Sequence, residues 1–301
     1  EYVASSLAAE GQMIRREHSS EGIPLPVYTY LDDDIVVHGE LFDKVMYFFR
    51  EIVKLSTMVH ELVNQAKMQG QLVDYKCYPT RVQLFYINKV LLLSLKAEKV
   101  AQVAVDEVRQ GRSVVIGMSD TLECILKDVT VSDDGAVRGD ISALLLRLLE
   151  KTVRSTSEQD ENASPIFDLV TDSEDPELLS LSSIADEIRD YYKYTKQGVK
   201  DEVFHLPMSP IDVIRQLITQ EQFVSPDGSF LNIRFEECTG RGHQLEYLSP
   251  EGNDDFVNAK IMPRKKRHSN HIFNDFQNNK LDVILVNACG AIGASAHAIS
   301  T

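Results

Sequence analysis

Four cysteines in 301 residues, none of them in a CxxC pair, leave this sequence without a disulfide frame or a zinc ribbon. Cys77, Cys124, Cys238 and Cys289 lie far apart and read as free thiols of a reducing compartment. No apolar run reaches the roughly 18 residues of a membrane span. The start, Glu1-Tyr2-Val3-Ala4, has no initiator Met, no basic n-region and no signal h-region, so it reads as an internal start. There is no GxxxxGK[ST] loop, no acidic box after an apolar strand and no GxSxG elbow. These absences exclude a self-contained P-loop ATPase and an α/β-hydrolase triad built on an elbow. Ser119, Ser295, His205, His243, His271 and His297 remain as scattered nucleophile and base types with nothing to pair them.

Cations are also scarce, with 31 Lys and Arg against 46 Asp and Glu, a net charge of −15. A bulk-charge DNA-coating protein is excluded, whereas a local basic groove is not. What is present is ordinary for a globular chain: 43% hydrophobic residues supply a core.

Periodicity divides the chain into elements. Residues 3–16 alternate at helical spacing, residues 22–30 are extended around Pro24 and Pro26, and Asp32-Asp33-Asp34 is an acidic helix entry. A helix is predicted from Leu41 to Lys67 on the stripe Phe42, Val45, Met46, Phe49, Ile52, Val53, Met58, Val59, Leu62 and Val63. A second runs from Thr80 to Gln110, burying Leu84, Ile87, Leu91, Leu95, Val100, Val103 and Val108 and ending at Gly111. The aromatic and Met residues of both helices read as core.

Ser113 to Ser119 is a β-branched strand and turn, followed by a helix at residues 121–126 and a loop or hairpin from Val131 to Gly139. Ile141 to Val153 is an amphipathic helix, and residues 155–164, polar and acidic, form a linker. Further helices are expected at Leu178 to Tyr194 and from Ser209, as N-cap, with Pro210 in the first turn. Phe230 to Glu236 and His243 to Leu248 alternate like strands, joined by Cys238-Thr239-Gly240-Arg241-Gly242. A helix over Ser269 to Phe276 leads into the final apolar strand, Leu281 to Val286. Two strand units, around Val114 and Val283, frame helical material, so the expected fold is α/β with a parallel sheet and large helical insertions.

Three places can carry chemistry. After the last strand, Gly290-Ala291-Ile292-Gly293-Ala294-Ser295 allows close backbone approach to a phosphate or sugar. Arg241, held in a glycine turn, is either a turn residue or a phosphate fork. Arg264-Lys265-Lys266-Arg267 is a run of four cations, read as a solvated loop, a nucleic-acid contact or an import signal.

Taken together, these segments resemble the Strawberry notch-like branch of superfamily 2 helicases. YVASSLAAEGQMIRREHSSEGIPL, with Gly11, Ile14, Arg15, Ser19 and Gly22, is similar to the stretch that follows that family's first RecA-like lobe. KAEKVAQVAVDEVRQGRSVVIGMSDTLE is similar to its helix, glycine and motif IV strand. DVILVNACGAIGASAHA resembles motif V, with matches at Asp282, Gly290, Gly293, Ser295, His297 and Ala298, while Ala291 stands where Ser or Thr is common. Residues 127–203 match nothing in the family.

The resemblance implies a RecA-like parallel sheet lobe: residues 1–36 linking from a first lobe, 37–110 a helical arm, and 111–301 the second lobe. That second lobe carries an insertion at about 127–205 and stops after motif V. It further implies an ATP-dependent DNA helicase or translocase whose ATP and Mg are bound mainly by the first lobe. Walker lysine, acidic box and arginine finger would lie before Glu1 and after Thr301, making the chain a fragment, inactive alone. Gly290, Ala291, Gly293, Ala294, Ser295 and Ser119 would couple nucleotide to nucleic acid, with Arg241 on the same face. DNA and the first lobe would be partners, in the cytoplasm of a bacterial or phage system or in a eukaryotic nucleus. The competing reading is a non-enzymatic interaction module whose helical arms, Leu41 to Gln110 and Leu178 to Tyr194, bind proteins.

Overall fold

The structure is a computed structural model that describes residues 39–72, 74–118, 136–154, 163–202, 204–224, 230–248 and 258–287. All belong to one compact unit, Asp32–Thr301. The elements expected at 3–16, 22–30, 32–34 and 121–126 lie outside the described residues.

Two long helices come first. Helix α1 (Gly39–Met68) buries Val45, Phe49, Ile52, Leu55, Val59, Leu62 and Val63, the three-and-four spacing of a core-facing stripe. Phe42, Met46, Val53 and Met58 flank that stripe half-buried. Helix α2 (Thr80–Arg109) buries Leu84, Ile87, Leu91, Leu95 and Val108, but Val103, expected inside, is 40% exposed. Its end is a Schellman turn: Gly111 takes φ +77°, its N–H bonds Val108 O, and Arg112 N–H bonds Glu107 O.

Strand β1 (Val114–Met118) follows, then β2 (Ala136–Arg138) and α3 (Ile141–Val153). Helix α3 is capped by Asp140, whose carboxylate accepts from Ala143 N–H at 3.2 Å and Ser142 Oγ at 2.5 Å. The stretch read as a linker begins and ends at one place, because Arg154 and Pro165 form an antiparallel bridge. Short helices α4 (Ile166–Thr171) and α5 (Pro176–Leu179) precede α6 (Ser182–Asp201). The single helix expected over Leu178 to Tyr194 is thus a one-turn helix and a later, longer one. Pro176 in the first turn, with Asp175 accepting from Glu177 N–H, sets up the first, and the chain breaks at Ser180 and Leu181 before the second begins. Helix α7 (Pro210–Gln220) follows.

The remaining strands are β3 (Gln222–Val224), β4 (Phe230–Asn232), β5 (Phe235–Cys238), β6 (His243–Tyr247), β7 (Asn258–Pro263) and β8 (Val283–Asn287), with α8 (Ser269–Gln277) before the last. They form a parallel sheet ordered β1-β8-β5, an antiparallel sheet ordered β2-β7-β6, and a β3-β4 ribbon. The strand expected over Phe230 to Glu236 is therefore two strands in two sheets. The flanks of the Cys238 to Gly242 turn likewise part, β5 into the parallel sheet and β6 into the antiparallel one. Strands β3 and β7 were not read from the sequence. The architecture is mixed α/β, with a small parallel sheet and several helices.

Strand β8 is the centre of that sheet. Val114 to Met118 pair in register with Val283 to Asn287, and Phe235 to Cys238 pair with Val283 to Val286. Alternate β8 side chains enter different cores, as the two-residue period of a strand requires. Val283 and Leu285 join the large core shared by α1, α2, α3, α6 and α7. Ile284 and Val286 pack with Ile272 and Phe273 of α8. Helices thus cover both faces of β8, which explains its unbroken apolar sequence. Among the described residues, no helix is long and apolar enough to cross a membrane.

Candidate functional site

Parallel pairing gives the three strands a common polarity. Met118, Asn287 and Cys238 therefore end at the same edge, the carboxyl edge at which open α/β sheets usually bind ligands. Three candidate segments leave from it: residue 119 onward after β1, 288 onward after β8, and Thr239-Gly240-Arg241 after β5. Ser119, Gly290, Ala291, Gly293, Ala294 and Ser295 lie outside the described residues, but the strand ends that launch them are hydrogen-bonded neighbours. Asp282, the first residue of the motif V resemblance, sits at the opposite edge. Its carboxylate takes Arg234 Nε at 2.9 Å and Arg234 N–H at 2.7 Å, and its carbonyl takes Val114 N–H at 2.9 Å. It ties the amino ends of β5, β8 and β1 together.

Arg241 is not on a surface. Its side chain is fully buried, and two carboxylates divide its guanidinium between them. Asp212 takes Nη1 at 2.8 Å and Nη2 at 2.7 Å, while Glu237 takes Nε at 2.7 Å and Nη2 at 2.6 Å. Both arms of the fork are used, so the turn reading describes this arrangement and the guanidinium holds no spare face for a phosphate. Asp212 is reached from α7, where the sequence had placed Ser209 as a cap. Ser209 occupies the N-cap position, but its hydroxyl donates to Asp212 Oδ2 at 2.6 Å, and Leu245 N–H adds a bond to the same oxygen at 2.7 Å. A buried carboxylate collects the donors within reach, and that demand overrides the cap.

Burial would push the Glu237 carboxyl upward. The hydrogen bonds and charge of Arg241, with help from Thr239 and Arg264, outweigh it and hold the group below the usual carboxylate range. Burial opposes the Arg241 charge as well, and Glu237 and Asp212 again win, raising it. A depressed carboxyl contributes stability that is complete above its unfolded value, about 4.3, and is lost as pH falls through the folded value. Acid unfolding followed by circular dichroism should therefore begin below about pH 4. In Glu237→Gln that step should flatten, while neutral-pH stability drops.

Next to this network lies the basic run, which leaves β7 and folds over the β5 turn. Arg264 is nearly buried, donating to Arg241 O at 3.1 Å and to Glu237 O, with Nε 3.5 Å from the Glu237 carboxylate. Lys266 Nζ donates to Gly240 O. Arg267 bonds Glu236 at 3.1 Å and Asp275 at 2.5 Å. Lys265 is exposed. The run is thus mainly a clasp that fixes the turn at the carboxyl edge, leaving Lys265 directed to solvent. Sequence reasoning missed Asp212 and Glu237, the carboxylates that absorb these cations. Nothing in the sequence around them marks either one, since Glu237 follows another acid, Glu236, and Asp212 stands in the first turn of α7, where acids are common.

No group of three or more His, Cys, Asp or Glu among the described residues could hold a metal ion. The described tips of the strands, Met118, Asn287, Cys238 and Thr239, do not supply the lysine and carboxylates that Mg and a triphosphate require. No step through ATP is therefore derived from these residues. Cys77 and Cys238 are free thiols, both raised by burial, so neither is a ready thiolate. Compared with protein-family models, curated proteins and solved structures, the chain matches none.

Proposed function

We propose that this chain is the nucleic-acid-contacting, RecA-like part of an ATP-driven DNA helicase or translocase, with the carboxyl edge of the β1-β8-β5 sheet toward the sugar-phosphate chain. The observation that carries this reading is the adjacency of β1 and β8. The motif IV-like and motif V-like segments, separated by about half the sequence, leave the sheet from register partners Met118 and Asn287. A nucleic-acid backbone crossing that edge would meet Lys265, in the basic run that folds over the turn after β5, while the small residues that follow β8 in sequence suit close backbone approach. The chemistry of ATP cleavage is assigned to residues other than those described, and the role here is to hold the strand and respond to closure.

Titration of a labelled oligonucleotide against the chain at increasing salt tests it. Binding is expected at low salt, falling as salt rises. Lys265→Ala should weaken it uniformly across sequences and reduce the salt slope by about 1. The same preparation should show no ATP turnover, because no phosphate-binding loop is present in the sequence. Robust hydrolysis, or an unchanged salt slope in Lys265→Ala, counts against the proposal.

A further inference from the structure

Side chains of the parallel sheet alternate between two faces, and the two are not equally covered. On the large-core face, Ile116 and Met118 of β1 are buried beside Val283 and Leu285 of β8. On the other face, α8 packs against β5 and β8 and covers Ile284, Val286 and Cys238. Among the described residues, nothing covers the part of that face formed by β1. Val115, the register partner of the fully buried Ile284, is 49% exposed. Gly117, the partner of Val286, is exposed too, and no described atom lies within 4 Å of the place a Cβ would take. Parallel sheets occur almost only with both faces covered. A valine half in water beside a buried isoleucine therefore marks a seat for another element.

The strand order says which element belongs there. From β1 the chain crosses to β5 through α3, α6 and α7, on the large-core face, and from β5 it returns to β8 through α8, on the other. Those two steps run in opposite directions across the sheet. One handedness of crossover places their helices on opposite faces, as they are, and parallel crossovers are right-handed in about 98% of cases. From β8, a step back past β5 would put the next element on the large-core face, which α1, α2, α3, α6 and α7 already fill. A step onward past β1 puts it on the α8 face, over Val115 and Gly117. We propose that residues 288–301, which follow β8, seat on this uncovered part of the sheet, beside α8. They leave from Asn287, the register partner of Met118 at the end of β1, so the chain has no gap to bridge. Their length suffices, because about 11 helical residues span the roughly 17 Å of a five-residue strand. Their sequence also fits: Ile292, Ala296 and Ile299 recur at the four-and-three spacing of a core-facing stripe, with His297 and Thr301 opposite. The small residues Gly293-Ala294-Ser295-Ala296 suit the close approach that Gly117 leaves open. Residues 119–135, which leave the same edge, are committed elsewhere, since they must reach β2, whose Val137 lies in the large core. The inference does not depend on the nucleic-acid reading.

The test is amide hydrogen exchange of the whole chain, without nucleic acid, at low and high protein concentration. Peptides covering 292–301 should exchange at least about tenfold slower than the same sequence as a free peptide, the mark of a segment packed on the fold. Val115→Asp should return them to the free-peptide rate, while peptides of α1, α2 and α8 stay unchanged and show that the fold is intact. Val103→Asp is the control, because Val103 is a similarly exposed valine, at 40%, on α2, and it should leave 292–301 protected. The reciprocal variant, Ile292→Asp with Ile299→Asp, should release the same segment and speed exchange at 114–118. Free-peptide exchange of 292–301 in the unmodified chain overturns the inference. Slow exchange that persists in Val115→Asp overturns it as well, since the segment would then be seated elsewhere. Protection of 114–118 that rises with protein concentration also overturns it, by making a second copy of the chain the occupant.

Discussion

Arg241→Met should destabilise the fold by about 3–5 kcal/mol, because it leaves buried carboxylates without their shared cation. Asp212 and Arg241 have no exposed side-chain surface, and Glu237 keeps only 2%. Neither acid can recover its lost partner from water. The effect belongs at the lower end of the range, since Arg264 still lies 3.5 Å from Glu237 and Arg215 3.4 Å from Asp212. The pairing also makes a non-additive prediction. Glu237→Gln removes a charge that Arg241→Met would strand, so the double variant should cost less than the sum of the two singles. Urea unfolding of the four proteins measures this. Additive losses would mean that the two side chains do not act as a unit.

Leu285→Ala is the second large effect, expected at about 2–5 kcal/mol. Leu285 is fully buried on the central strand, facing the core that α1, α2, α3, α6 and α7 share. The strand is held by β1 on one side and β5 on the other, so the backbone has little freedom to collapse into the cavity. Ile284→Ala, on the other face, opens the smaller core under α8 instead. Thermal melts should then separate the two variants. Leu285→Ala lowers the midpoint of the main transition, whereas Ile284→Ala also loosens α8, visible as faster amide exchange at Ile272 and Phe273. Equal exchange at α8 in both variants would contradict the two-core description.

These cases show where the sequence was readable. The long helices were legible because three-and-four spacing over thirty residues leaves no other solution, and Gly111 marks its own turn. Strand β8 was legible because burial on both faces writes an unbroken apolar run. Strand β7, with Lys260 and Met262 facing out, has no such run, and its existence depends on partners distant in the chain. The break between β4 and β5 was hidden for a similar reason. The alternation continues across Ile233 and Arg234, while Asp282 pulls Arg234 into the parallel sheet.

The candidate site divides the same way. Small residues after β8 and the cations near β7 stand out as residue types. Whether a cation is available is decided by carboxylates elsewhere, and no local pattern links Arg241 to Asp212, 29 residues away. Phe85, read as core with the other aromatics of α2, is 58% exposed and was misread for the converse reason. A helix with apolar residues around much of its circumference does not show which side faces solvent.

The central claim is that nucleic acid runs along the carboxyl edge of the parallel sheet. Amide hydrogen exchange of the whole chain with and without saturating oligo(dT) tests it most directly. The account predicts added protection in peptides covering 118–119, 239–242, 264–267 and 288–295, with the amino edge at Arg234 and Asp282 unchanged. Protection confined to the amino edge, or no change at any of the carboxyl-edge peptides under saturating ligand, would contradict it.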